Sequence, residues 1–331
     1  MAFGTAQKLE LAGLVARAEA AALARRLARG PARPGWTLRT ELVAAGVRAV
    51  VMASKRRGVH WLREAQAAFP APSKAARRVR FEPVAANGVP AVWCLPPGPP
   101  PRRTIVYLHG GGYVIGSPHT HRDLLARLAL GARARVLGVD YRLAPEHRFP
   151  AAHEDCLAAT RFALAEAGDP AACALAGDSA GAALTVATLC GLRDAGEPLP
   201  AAAALLCPWA DPHAAGGSMD ANADVDFGDR ELLLGWIDAY APGDAGRDPR
   251  VALLRADLSG LPPLLVQAGG AEILLDQIEA FVARARAAGV EVRYQLSPHL
   301  FHDWQLQAEL LPEGARAVDE VAAFLVERLA A

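Results

Sequence analysis

One serine in this chain stands where a nucleophile could be made. Gly177-Asp178-Ser179-Ala180-Gly181 follows the apolar run ACALA and opens a helical stretch, AGAALTVATL. This puts the pattern G-x-S-x-G in a strand–turn–helix context. A serine at such a turn takes a strained backbone, and a glycine two residues to either side lets strand and helix approach closely. Its hydroxyl then stands at a helix N-terminus, where free N–H groups and the helix dipole favour developing negative charge. Taken alone, the same five residues could form a structural turn or cradle a phosphate. A second glycine cluster, His109-Gly110-Gly111-Gly112, ends the run TIVYL. Three consecutive glycines destabilise strand and helix alike, so their backbone N–H groups are expected to approach something closely. Beside a nucleophilic serine, the N–H groups of Gly111, Gly112 and Ala180 would be three donors for the anionic oxygen of a tetrahedral intermediate.

HGGGYVIGS, DYRLAPEHRFPAA and GDSAG, in this order, resemble the bacterial hormone-sensitive-lipase family of esterases. The resemblance covers roughly residues 75–330. It implies an α/β-hydrolase core, a mostly parallel sheet flanked by helices. It also implies a helical cap drawn from the N-terminal segment and from an insertion late in the sheet. The implied activity is hydrolysis of short- to medium-chain carboxylic esters without a cofactor.

A serine hydroxyl needs a base oriented by a carboxylate, and the chain order in this fold is serine, acid, histidine. His299 and His302 both follow the last strand-like run, in SPHLFHDWQ. The family places an aromatic or aliphatic residue directly before the histidine, which Phe301-His302 matches and which implies His302 as base. The acid is expected after PPLLVQAGG, in Ala271-Glu272-Ile273-Leu274-Leu275-Asp276. The family's two aspartates separated by three residues, the first one catalytic, fall on Glu272 and Asp276. Glu272 departs from the usual aspartate, yet a glutamate can hold an imidazole equally well. Asp276 is expected to cap the following helix, and Asp303 is a third carboxylate to weigh. His109 is expected to brace the glycine loop, while Asp140, Glu146 and His147 are read as loop supports. Tyr113, Val114, Trp209, Phe227, Trp236 and Leu300 are candidates for the substrate pocket, each equally readable as packing.

These residues need a scaffold that brings them together. TIVYLHG, ARVLGVDYRL, ACALAGDS, AAALLCPWAD, PPLLVQAGG and VEVRYQLSP read as strands. Between most of them lie helical stretches at about 119–132, 151–168, 180–196 and 275–289, with a last helix near 313–330. Strand alternating with helix predicts parallel strands joined by crossovers. RRVRFEPV and VPAVWCLP, separated by Ala-Ala-Asn-Gly, predict a hairpin ahead of them. Residues 6–29 and roughly 39–68 have helical spacing, and the strand–helix rhythm fails between 211 and 250. The expected organisation is N-terminal cap helices over 1–70, a catalytic core over 71–210 and 251–331, and a second cap segment over 211–250.

Composition narrows the function classes. With 35 basic and 35 acidic residues the chain has no basic excess for nucleic acid. Hydrophobic residues at 52% supply a sizeable core. Cys94, Cys156, Cys173, Cys190 and Cys207 are scattered singly, which fits a reducing cytoplasm and argues against a disulfide framework. No window is long and apolar enough to span a bilayer, and no cluster has metal-ligand spacing, the run His121-Arg122-Asp123 being too isolated. The last strand, VEVRYQL, is read as an exposed edge able to pair with that of a second copy. A lactonase, amidase or deacetylase of a small metabolite could use the same machinery, because cap and pocket shape set leaving-group preference. A non-catalytic binding protein is the more distant alternative.

Overall fold

The computed structural model describes residues 3–68, 73–99 and 101–330; the boundary read near residue 70 lies outside the described residues. Eight strands form one sheet: β1 (Arg80–Ala86), β2 (Val89–Leu95), β3 (Thr104–Leu108), β4 (Arg135–Val139), β5 (Cys173–Asp178), β6 (Ala202–Leu206), β7 (Leu264–Gly269) and β8 (Val292–Ser297). Their spatial order is β1-β2-β4-β3-β5-β6-β7-β8. The hairpin β1–β2 is antiparallel and turns at Asn87-Gly88, both at positive φ, the conformation that a two-residue turn between twisted strands demands. β2 joins β4 antiparallel, and every pairing from β4 to β8 is parallel.

Ten helices accompany the sheet among the described residues. They are α1 (Thr5–Arg29), α2 (Leu38–Arg57), α3 (Val59–Ala68), α4 (Arg122–Ala132), α5 (Ala151–Ala167), α6 (Ser179–Asp194), α7 (Ser218–Ala221), α8 (Arg230–Tyr240), α9 (Leu275–Ala287) and α10 (Pro312–Arg328). The helical stretch expected over 39–68 is thus two helices. Gly58 sits between them at φ +83°, a backbone that ends a helix and that glycine adopts without steric cost.

The period-two alternation of a strand assigns residues to the two faces of the sheet. Ile105 and Tyr107 of β3 pack with Leu125 of α4 and Phe324 of α10. Val106 and Leu108 face the opposite way, toward Cys156 of α5 and Val186 of α6. β3, β5, β6 and β7 are buried along their whole length, as parallel strands covered on both faces must be. This rigid centre carries the loops that follow β3, β5 and β7.

The N-terminal segment meets residues 211–250 through charged contacts. Arg48 of α2 donates to the carbonyls of Asp226 and Gly228 at 2.8 and 3.2 Å. Lys55 pairs with Asp229, which also caps α8 by accepting the Leu232 N–H at 2.9 Å. Arg33 binds the Ala221 carbonyl and the Asp224 carboxylate. No helix among the described residues is long and apolar enough to cross a membrane.

Candidate active site

β5 runs straight into Asp178 and α6 begins at the next residue, so Ser179 carries the whole reversal of the chain. Its φ is +51°, a left-handed conformation that costs a non-glycine residue about 1–3 kcal/mol. The two flanking glycines are sterically obligatory. A Cβ on Gly177 would lie 2.5 Å from the Gly181 carbonyl oxygen, and one on Gly181 would strike the carbonyls of Leu108 and His109. The Ser179 hydroxyl faces the His302 Nε2 at 2.9 Å. His302 Nδ1 lies 2.7 Å from the Glu272 Oε2, and Glu272 is completely buried. The other carboxylate oxygen, Oε1, accepts the Gly269 N–H at 2.6 Å, so the Glu272 side chain is anchored to the end of β7. The fold therefore brings Ser179, His302 and Glu272 into one hydrogen-bonded line.

The other carboxylates and histidines go elsewhere. Asp276 Oδ2 accepts the Ser218 N–H at 3.0 Å, and the Asp276 N–H donates to the Ser218 hydroxyl at 3.1 Å. Asp276 thus staples the start of α7 to the start of α9 and does not cap α9. Asp303 approaches the His302 ring on its opposite edge, Oδ2 lying 3.1 Å from the Nε2. His299 packs against Gly35, and its carbonyl accepts the Trp36 indole N–H. Glu146 pairs with Arg63. His109 is buried, stacks on Tyr141 at 4.1 Å and contacts the Gly110 carbonyl through Nδ1 at 2.8 Å.

Electrostatics favour a charged imidazole at His302. Burial works to lower its pKa, but the Asp303 carboxylate and hydrogen bonds with Asp303, Cys207 and Glu272 outweigh it and hold the ring well above its ordinary value. Burial in turn pushes the Asp303 carboxyl up to about 7. Cys207, His302 and Asp303 bring three ligand-type atoms within 4.8 Å of one another, a clustering that their spacing in sequence did not advertise.

The glycine loop is held by a buried network. Asp178 accepts the Gly110 N–H at 2.9 Å and the Tyr107 hydroxyl at 2.7 Å, and lies 3.2 Å from His121 Nε2. Burial would raise the Asp178 carboxyl, but His121 and the hydroxyl of Tyr107 more than offset it and keep the pKa low. Gly110, Gly111 and Gly112 all line the cavity, but the Gly110 N–H is consumed in this way and the N–H groups of the next two glycines are not. Gly111 and Gly112 have φ of +116° and +59°, and a Cβ on Gly112 would strike the Trp236 ring. Among the described residues no hydrogen bond takes up the N–H of Gly111, Gly112 or Ala180. Sequence reasoning gave Asp178 no role of its own and set His121 aside as too isolated to bind a metal. The motif marks Asp178 only as an arbitrary residue, and His121 lies 57 residues away from it.

A cavity of about 470 Å³ opens over Ser179. Of the residues read as pocket candidates, Phe227 and Trp236 line it, and Tyr113, Val114, Trp209 and Leu300 do not. The chain turns back at Gly111, whose carbonyl accepts the Val114 and Ile115 N–H groups, and this drives Tyr113 and Val114 into the interior. Tyr113 there stacks on Tyr240 at 4.0 Å. Trp209 is tied by its indole N–H to the Asp211 carbonyl, and Leu300 is buried within the loop between β8 and His302. The walls come instead from Val15 of α1 and from Val43, Val47 and Val50 of α2.

The alpha/beta hydrolase fold family model matches residues 105–306. A solved esterase of the bacterial hormone-sensitive lipase family superposes with a TM-score of 0.84 at 42% identity, covering 89% of this chain and 100% of that one. The chain belongs to this family of α/β-hydrolase esterases. An acetyl-hydrolase of Streptomyces hygroscopicus is 46% identical over 229 residues, 67% of this chain and 75% of its own length. A carboxylesterase of Mycobacterium tuberculosis is 34% identical over 261 residues, 76% and 78% of the two chains. The mostly parallel eight-stranded sheet with flanking helices is the fold of these esterases.

Proposed function

We propose that this esterase hydrolyses short- to medium-chain carboxylic esters by two-step acyl transfer, with Ser179 as nucleophile, His302 as base and Glu272 as the orienting acid. The observation that carries this reading is the line Ser179 Oγ–His302 Nε2 at 2.9 Å and His302 Nδ1–Glu272 Oε2 at 2.7 Å, set beside untaken glycine N–H groups. Neutral His302 takes the serine proton as Oγ attacks the ester carbonyl, and the imidazolium so formed is stabilised by Glu272. The carbonyl oxygen gathers negative charge toward the N–H groups of Gly111, Gly112 and Ala180. Collapse of the tetrahedral intermediate expels the alcohol, protonated by His302, and leaves the acyl-serine. Water activated by the same histidine then releases the acid and restores Ser179.

Helices α1–α3 and the 211–250 insertion act in this reading as a cap that closes an apolar chamber over the nucleophile. The valines of α1 and α2 suit a hydrocarbon portion of the ester, and no cofactor enters the reaction. The name acetyl-hydrolase carried by relatives favours a small acyl group on the serine side. Five free, buried cysteines fit a reducing compartment, and we read the enzyme as cytoplasmic. β8 is the last strand of the sheet, and we read its open edge as a pairing site for a second copy. A monomeric mass by light scattering at micromolar concentration would remove that pairing. The test of the main reading is turnover of p-nitrophenyl esters from acetate to palmitate. Wild type is expected to cleave the short and medium esters and Ser179→Ala to lose that turnover; equal activity in the two proteins would end the serine mechanism.

A further inference from the structure

We propose that Asp226, a residue of the insertion, is a positioning residue that locks the base-bearing loop to the acid-bearing loop. The inference rests on the Ser179–His302–Glu272 reading and extends it to a fourth side chain. Asp226 has no exposed surface. Its Oδ1 accepts the backbone N–H of His302 at 2.8 Å, and its Oδ2 accepts the backbone N–H of Ile273, the neighbour of Glu272, at 2.7 Å. One carboxylate therefore spans two loops that follow different strands, β7 and β8.

A carboxylate removed from water is costly unless its charge is met by donors. Here the donors are two main-chain N–H groups, which form charge-assisted bonds of fixed direction. Flexible side chains would tolerate drift between the loops, whereas two backbone donors on one planar carboxylate do not. The rest of the segment reinforces the grip. Asn222 Nδ2 donates to the Glu272 carbonyl at 2.9 Å, and the Ser218 hydroxyl donates to the Ile273 carbonyl at 3.0 Å. The Phe227 ring, next to Asp226, lies 4.6 Å from the His302 ring. The insertion thus does more than cover the cavity. It sets the height and tilt of the imidazole over Ser179.

Asp226 touches neither substrate nor the reacting atoms, so its loss is expected to act through His302. A displacement of about 1 Å in a catalytic group costs on the order of 100-fold in rate. The test compares wild type with Asp226→Asn, which keeps the shape but replaces one acceptor oxygen by an NH2 group. Asp226→Ser serves as a smaller variant that introduces no opposed donor. Thermal melting establishes folding, and p-nitrophenyl acetate gives kcat and KM separately. Folded variants with kcat reduced about 10- to 100-fold and KM within about threefold of wild type are the expected result. A folded variant with kcat within twofold of wild type overturns the proposal, as does a loss carried by KM. Failure of both variants to fold also overturns it, because Asp226 would then be holding the fold together. Ser179→Ala run in parallel separates the two claims: full activity there removes the triad reading whatever Asp226 does.

Discussion

Replacing Glu272 by glutamine should be far more damaging than its near-isosteric size suggests. The carboxylate serves two donors at once, His302 Nδ1–H at 2.7 Å and the Gly269 N–H at 2.6 Å. A glutamine has only one oxygen, so its NH2 group must face one of these donors. Turned toward Gly269, it confronts a backbone N–H that cannot reverse. Turned toward His302, it donates to Nδ1 and drives the imidazole to the tautomer with its proton on Nε2. That tautomer cannot take the Ser179 proton. The second arrangement relieves the clash at the main chain, so the amide settles there and the base is lost. The equivalent change of carboxylate to amide in a serine triad lowers kcat about 10⁴-fold, which corresponds to about 5.4 kcal/mol of transition-state stabilisation. Glu272→Gln is therefore expected to lose about 10³- to 10⁴-fold in kcat on p-nitrophenyl acetate with little change in KM. Asp276→Asn, whose carboxylate holds Ser218, should lose no more than the ~100-fold of a positional disturbance. A folded Glu272→Gln enzyme with more than a tenth of wild-type turnover would refute this reasoning. So would the reverse ranking of the two variants.

The glycine loop and the pH profile offer further tests. Gly112→Ala must push its Cβ against Trp236 at a backbone φ of +59°, which tilts one N–H donor out of line. Turnover should fall about 100- to 1,000-fold while the protein remains folded, as measured by steady-state kinetics beside a thermal melt. Retained turnover would remove the Gly112 N–H from the oxyanion role. Ionised Asp303 favours the imidazolium of His302, whereas the reaction needs the neutral ring. The acid limb of the wild-type kcat/KM profile should therefore lie above the ordinary histidine value of about 6.5. Asp303→Asn removes the largest influence raising that ring, so the limb should move to lower pH. A limb that stays in place would show that Asp303 does not govern the base.

What could be read in the sequence is what is encoded in contiguous backbone. Gly177–Gly181 and His109–Gly112 carry their geometry within a few residues, because each glycine answers a clash inside its own turn. The alternation of strand and helix gave the sheet, because burial on both faces leaves an apolar run that little else produces. The choice between Glu272 and Asp276 was not local. It depends on which carboxylate faces a ring 30 residues further on, and only the docking of the β8 loop onto the β7 loop decides that. Tyr113 misled for a related reason. An aromatic beside the glycine loop has the composition of a pocket wall, yet the bond from Ile115 N–H to the Gly111 carbonyl folds it inward. The helices α1 and α2 were legible from their spacing, but not the fact that their valines would line the cavity over Ser179.

Asp226 was hidden by its company. It stands in a Gly-, Ala- and Asp-rich stretch whose composition reads as a solvated loop, and a carboxylate is the last side chain expected to have no exposed surface. Its burial follows from a division of labour within the site. Ser179 and the glycine donors are fixed by the central strands, where Asp178 ties Gly110 to the end of β5. His302 and Glu272 ride on loops beyond that framework and take their alignment from the insertion, which Arg48 of α2 in turn holds by the carbonyl of Asp226. Damage to the two halves should therefore differ in kind. Substitutions under the elbow should be felt first as lost stability, since they open a close-packed sheet. Substitutions along the path from Arg48 to Asp226 should cost turnover first, because they move the base while leaving the core intact.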